Sequence, residues 1–275
     1  MLTGHRSLDV VDRKSMPPRV NYDHIAPSYD ARYAPGAYDD MQEALRAFIM
    51  PENPERVLEV GCGTGHWLDV LRDLVPNIFG LDYSLEMLNK ARAKDPHGCL
   101  LRATAELAPF RDRTFDVIFC INAIHHFERV DEFVAGARRL LRPGGSLAIF
   151  GMDPHHGGDS WCVYDFFPET RTIDLARYPS SGKIADAMLR AGFDSVECRV
   201  SGRFAASRVG QAVFDDPELQ RRGCSQMALL TDVQYAAGIQ RIKSAIRNAG
   251  SDEPPVFKAD IAMIMQCGRV SRRSI

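Results

Sequence analysis

Long apolar runs are missing from this sequence. None approaches the roughly 20 residues of a membrane-spanning helix, so no membrane span is expected. Residues 1–20, with Pro17-Pro18, contain no hydrophobic stretch of the kind found in a secretory leader. They read as a poorly ordered arm. A basic excess is also missing. The net charge of −2 argues against a chain built mainly to hold nucleic acid. The seven cysteines, at 62, 99, 120, 162, 198, 224 and 267, are odd in number and contain no C-x-x-C pair. A disulfide framework or a zinc site is therefore not expected, and no metal is assigned. Most of these cysteines sit in apolar runs and read as small buried hydrophobes, in keeping with a reducing, cytoplasmic compartment. Internal repeats and low-complexity tracts are absent, and nothing in the sequence sets the oligomeric state.

What is present is an alternation of strand-like and helix-like segments. Strands are expected at Val57–Val60, Ile78–Leu81, Cys99–Ala103, Phe115–Ile121, Ser146–Met152, Asp194–Val200 and Val256–Gln266. Phe115–Ile121 is nearly continuous in apolar residues, as a central parallel strand requires. Helices are expected at Tyr38–Ile49, after Gly65, after Ser84 (a capping residue), at Val130–Leu141 and at Lys183–Ala191. This order describes an α/β protein with a doubly wound, Rossmann-like sheet. Two stretches exceed a minimal sheet. Residues 154–181 are rich in aromatics, and residues 202–253 look helical. Long additions of this kind often serve as lids.

The most informative segment is Val57-Leu58-Glu59-Val60-Gly61-Cys62-Gly63-Thr64-Gly65. A short strand ends next to an acid and opens into alternating glycines, where the backbone can approach a ligand that any side chain would block. Dinucleotide folds use G-x-G-x-x-G; here the spacing is G-x-G-x-G, with Glu59 before the first glycine. An acid at that place suits a ligand carrying an ammonium group. Asp82 closes the second strand, where it can accept hydrogen bonds from ribose hydroxyls. That role serves a nicotinamide dinucleotide equally well, so Asp82 does not discriminate.

E-V-G-C-G-T-G resembles motif I of the class I S-adenosylmethionine-dependent methyltransferases, and further motifs follow in order. Thr104-Ala105-Glu106-Leu107-Ala108-Pro109-Phe110 with Phe115-Asp116 is similar to the family segment D-A-E-x-L-P-F…F-D, with Thr104 replacing the aspartate. Leu140-Leu141-Arg142-Pro143-Gly144-Gly145 is similar to a frequent helix-to-strand junction of the family. Tyr22-Asp23-His24-Ile25-Ala26-Pro27-Ser28-Tyr29-Asp30 resembles the entry segment of ubiquinone/menaquinone-type methyltransferases, which folds over the cofactor.

The resemblance implies a seven-stranded methyltransferase sheet with helical lid insertions. It implies one domain over 21–275, with a cap at 21–50 and lids at 154–181 and 202–253. S-adenosyl-L-methionine would be the cofactor and S-adenosyl-L-homocysteine the product. The implied cofactor contacts are Tyr29, Glu59, Gly61, Gly63, Gly65, Asp82, Tyr83, Met87, Thr104, Ala105, Glu106 and Asn122. His125 or His126, in the turn after the fourth strand, could act as a general base. Neighbouring histidines are expected to point to different sides of that turn. The N/D-P-P-Y motif of many amino-methyltransferases is absent from this place. Aromatic residues Tyr22, Trp161, Tyr164 and Phe167 would line the site of a small, partly apolar acceptor, and no nucleic-acid partner is expected. Two rival readings remain open: a protein that binds S-adenosylmethionine without transferring methyl, and a nicotinamide-dependent oxidoreductase.

Overall fold

The computed structural model describes residues 20–33, 36, 38–249 and 253–272. The expected N-terminal arm, apart from residue 20, lies outside these residues. Strands β1 (Arg56–Val60), β2 (Asn77–Asp82), β3 (Cys99–Arg102), β4 (Phe115–Ile121) and β5 (Leu141–Gly151) form a parallel sheet in the order β3-β2-β1-β4-β5. The reversal of strand order between β1 and β4 opens a crevice at their carboxyl ends, which is where such sheets take ligands. Strand β8 (Val256–Arg269) runs antiparallel beside β5, and β7 (Ser195–Val209) pairs with β8 on its other edge. A two-residue strand, β6 (Ser160–Trp161), pairs with β8 beyond the end of β5.

The period of two along each strand separates the two layers. Leu58, Ile118, Cys120, Leu147 and Ile149 face α4 (Val130–Leu140) and α7 (Ser181–Arg190). Val57, Val117, Phe119, Ala148 and Phe150 face α1 (Asp39–Ile49) and α2 (His66–Leu71). Helix α3 (Leu85–Lys94) starts at Ser84, whose hydroxyl accepts the Met87 N–H at 3.2 Å. The Arg142-Pro143-Gly144-Gly145 junction behaves as its composition demands, since Gly144 takes a φ of +84°.

The largest departure from the expected elements is β7. It runs on to Val209 rather than ending at Val200, and keeps register with β8 to the pair Val209–Val256 after a bulge at Val200–Gly202. Residues 202–209 are thus strand, and the helical insertion begins later. The β7–β8 ribbon extends past the end of β5 and carries a third core. Here α5 (Cys162–Phe166), α6 (Pro168–Arg177), α8 (Ser225–Leu229) and α9 (Asp232–Ala249) surround Phe167, Met227, Ile242, Phe257 and Ile261. The cysteines also differ from expectation. Only Cys62, Cys120 and Cys224 are buried, while Cys99 and Cys198 are exposed because they sit on the edge strands β3 and β7. Among the described residues, no helix is long and apolar enough to cross a membrane.

Gly238 shows how tightly α9 seats on this third core. A Cβ at this position would lie 2.1 Å from two atoms of the Phe167 ring. Gly238→Ala is therefore expected to destabilise the fold by about 1–3 kcal/mol through overpacking, measured as a lower thermal midpoint. An unchanged midpoint would show that α9 does not press on Phe167.

Candidate cofactor and acceptor site

The loop after β1 is held by backbone bonds to β2. The Gly61 and Cys62 N–H groups donate to the Leu81 carbonyl at 2.7 and 3.0 Å. Gly61, Gly63 and Gly65 all have positive φ, at +78°, +51° and +77°. Their needs differ. A Cβ on Gly61 would lie 2.5 Å from the Ala123 Cβ, so that glycine is fixed by packing. A Cβ on Gly63 would meet only the Tyr29 ring, at 3.8 Å, so Gly63 keeps open a gap under the entry segment.

Asp82 ties this loop to α3. Its Oδ2 accepts the Gly63 N–H at 2.8 Å and its Oδ1 accepts the Ser84 N–H at 2.8 Å. Burial raises its pKa against the pull of these bonds. Glu59 lies beneath the loop with no exposure, and neither carboxyl oxygen has a partner. Burial and the nearby Asp82 push its pKa well above the usual carboxylate range. Buried acceptors are seldom left unpartnered, so Glu59 suits a ligand that brings a donor.

The entry segment forms two short 3-10 turns, Tyr22–His24 and Ala26–Arg32, and is fastened across the loop. The Ser84 hydroxyl donates to Asp23 at 2.5 Å, and the Thr64 hydroxyl donates to Asp30 at 2.5 Å. Lys94 pairs with Asp30 at 2.9 Å. Tyr33 stacks on His66 at 3.7 Å. These partners are scattered in sequence, so the reading of Tyr22 and Tyr29 alone missed Asp23, Asp30 and Arg32. Asp23 and Asp30 were signalled by their place in the entry motif, whereas Arg32 lies two residues past it.

The remaining expected cofactor residues fall in several settings. Tyr83 is 63% exposed, with Arg102 near its ring at 5.8 Å. Met87 is buried at the start of α3. Thr104 precedes a short 3-10 turn, Ala105–Leu107, in which Ala105 is buried. Glu106 uses its carboxylate to accept the Glu128 and Arg129 N–H groups at the head of α4, at 2.8 and 3.3 Å. Asn122 takes a φ of +50° at the end of β4.

Beside Asn122 a half-open cleft of about 70 Å³ lies between the entry segment, the β4 turn and the helical unit on the β7–β8 ribbon. Tyr22, His125, Trp161, Tyr178, Phe204 and Glu218 are among its walls. Tyr164 and Phe167 are not. Tyr164 donates to Asp174 at 2.9 Å inside the third core, and Phe167 is fully buried against Tyr235. The two histidines do not diverge as expected, because the turn is a tight 3-10 turn that packs their rings 3.9 Å apart. His125 stacks on Tyr178 at 4.0 Å, and its Nδ1 is buried without a partner. His126 Nε2 lies 2.5 Å from the Tyr22 hydroxyl. Burial holds that phenol in its protonated form, so Tyr22 donates and His126 accepts.

The chain spans less than half the length of several curated relatives it matches, from 24% to 43%. A probable tRNA methyltransferase 9B of Bos taurus is 30% identical over 144 residues, covering 46% of this chain and 31% of the relative. A demethylmenaquinone methyltransferase of Thermotoga maritima is 29% identical over 155 residues, covering 54% and 68%. A solved phosphoethanolamine N-methyltransferase 2 of Haemonchus contortus, in complex with S-adenosyl-L-methionine, shares the fold. Its TM-score is 0.58 at 18% identity, over 90% of this chain and 57% of that one.

The histidine environment sets a pH dependence. Burial pushes both histidines well below their ordinary value of 6.5, aided for His125 by His126, Arg177 and Arg32, and for His126 by Arg177 and Arg32. A histidine depressed in the fold binds protons first in the unfolded chain. Stability present at neutral pH is thus lost as pH falls through 6.5 toward the folded value. Thermal midpoints between about pH 5 and 7.5 are expected to fall on the acid side. The double variant His125→Asn/His126→Asn is expected to flatten that limb, and an equally steep limb would contradict this.

Residues 58–149 match the family described as a methyltransferase domain. With the strand order and the glycine loop above, the chain carries a methyltransferase domain of the S-adenosylmethionine-dependent, Rossmann-like type.

Proposed function

We propose that this chain transfers a methyl group from S-adenosylmethionine to an O, N or C atom of a small, partly apolar acceptor. The observation that carries this reading is the walled cleft beside Asn122 and His125, next to a glycine loop whose Gly63 gap and orphaned Glu59 fit the cofactor. When bound, the cofactor supplies a sulfonium methyl that an electron-rich atom can attack.

The protein's own part is alignment, exclusion of water and proton handling. Gly61, Gly63 and Gly65 would cradle the nucleoside end, with Asp82 toward the ribose. Tyr29 would close over the loop, and Thr104, Ala105 and Glu106 would lie on the adenine side. His125 stands in the cleft neutral at pH 7, with an unpartnered ring nitrogen, and can take a proton from a hydroxyl or amine acceptor. His126 is occupied by Tyr22, and so positions the entry segment rather than serving as the base. Trp161 and Phe204 offer apolar walls.

A second reading has support of its own, because three relatives, of Bos taurus, Mus musculus and Homo sapiens, are described as probable tRNA methyltransferase 9B. An RNA acceptor would demand an open, basic approach, with transfer that weakens as salt rises. The walled cleft favours a small molecule.

S-adenosylhomocysteine is expected to bind the wild-type chain in calorimetry, and Gly63→Val is expected to abolish binding by filling the gap under Tyr29. His125→Ala is expected to lower methyl release by about 10²-fold or more with little change in cofactor affinity. Binding of NADH and not of S-adenosylhomocysteine would overturn the cofactor assignment. Salt-sensitive methylation of RNA would replace the small-molecule acceptor.

A further inference from the structure

We propose that the acceptor is an organic acid whose carboxylate docks on Arg32 while its apolar body lies against Trp161, Phe204 and Met263. This inference rests on the methyltransferase reading and names the acceptor's chemical class.

Arg32 closes the entry segment and lines the cleft. Its guanidinium is held from two sides. It lies over the Tyr29 ring, 4.0 Å from the centroid, and its Nη2 donates to the Gly223 carbonyl at 2.7 Å. Its Nε is buried and has no partner. A fixed guanidinium with an unfilled N–H suits a planar carboxylate. Leaving such a donor dry and unpaired costs stability, and an arriving anion would relieve that.

The surrounding charge points the same way. Only one carboxyl, Glu218, shares the cleft wall with Arg32, and no ion pair joins the two among the described residues. Burial raises the Glu218 pKa to about 7, against the lowering effect of Arg32 and Arg208, with Asp216 raising it. About half of it is therefore uncharged at neutrality, so it cancels Arg32 only in part. Behind the wall, Arg177 is held by a carboxylate of its own, which leaves Arg32 as the cation of the cleft. Arg177 pairs with Asp174 at 2.6 Å and donates to Ser225 at 3.1 Å. Its Nε and Nη1 remain buried without partners. Both arginines favour negative charge at Tyr22 and disfavour positive charge on His125 and His126. The other walls are apolar or neutral, so an amine would meet no committed anion there.

The test uses the full chain saturated with S-adenosylhomocysteine. That first titration stands alone: if it fails, the methyltransferase reading fails, whatever the acceptor. Ligand-observed NMR then compares matched acid and amide probes, phenylacetate with phenylacetamide and hexanoate with hexanamide. At least one acid is expected to bind about tenfold or more tighter than its amide, the scale of one hydrogen bond to a charged group. Arg32→Gln is expected to erase that preference, and Arg32→Lys to keep part of it. Glu218→Gln is expected to tighten acid binding at pH 8, where the native carboxylate opposes it. Equal binding of acid and amide in both pairs would overturn the proposal. So would an Arg32→Gln variant that weakens S-adenosylhomocysteine and keeps the acid preference, since Arg32 would then hold the cofactor's own carboxylate.

Discussion

The Asp82 carboxylate fixes two turns of the chain at once. One oxygen holds the Gly63 N–H of the loop after β1, and the other holds the Ser84 N–H that opens α3. Ser84 in turn caps α3 through Met87 and binds Asp23 of the entry segment. Loop, helix and cover thus share one short chain of hydrogen bonds, each within 3.2 Å. The loop's open gap at Gly63 persists because its backbone is pinned on both sides. Burial of Asp82 makes this arrangement demanding, since its charge is sustained only by the donors around it.

A division of labour follows from the sheet. The parallel strands end in a loop that is fixed by packing at Gly61 and by hydrogen bonds at Gly63. The cleft beside it is walled instead by a separate core raised on the β7–β8 ribbon. There Asp174 gathers Arg177, Tyr164 and Gln226 into one buried network. That separate core can therefore vary without disturbing the glycine loop. This is the sense in which fold alone does not name a substrate.

The strand-glycine-helix opening was legible because it is local. Strand, turn and helix follow one another within a few residues, and each has its own composition. The Ser84 cap and the positive φ of Gly144 were legible for the same reason. The length of β7 was not, because the residue types of 202–209 do not alternate although their burial does, and they owe their strand state to pairing with β8. The aromatics of 154–181 divide between cleft and lid core, and composition cannot separate them: Trp161 reaches the cleft, while Phe167 is locked beneath Gly238. Arg32 and Glu218 meet in one wall although 186 residues separate them (218 − 32). No spacing rule links them.

In the proposed function, the glycine loop and the entry segment folded over it form the cofactor site. Hydrogen exchange with and without S-adenosylhomocysteine tests this most directly. Slower exchange is expected in residues 61–65 and 22–33 on binding, with little change in α9. Unchanged exchange in both segments at a saturating concentration, or protection confined to the lid helices, would contradict it.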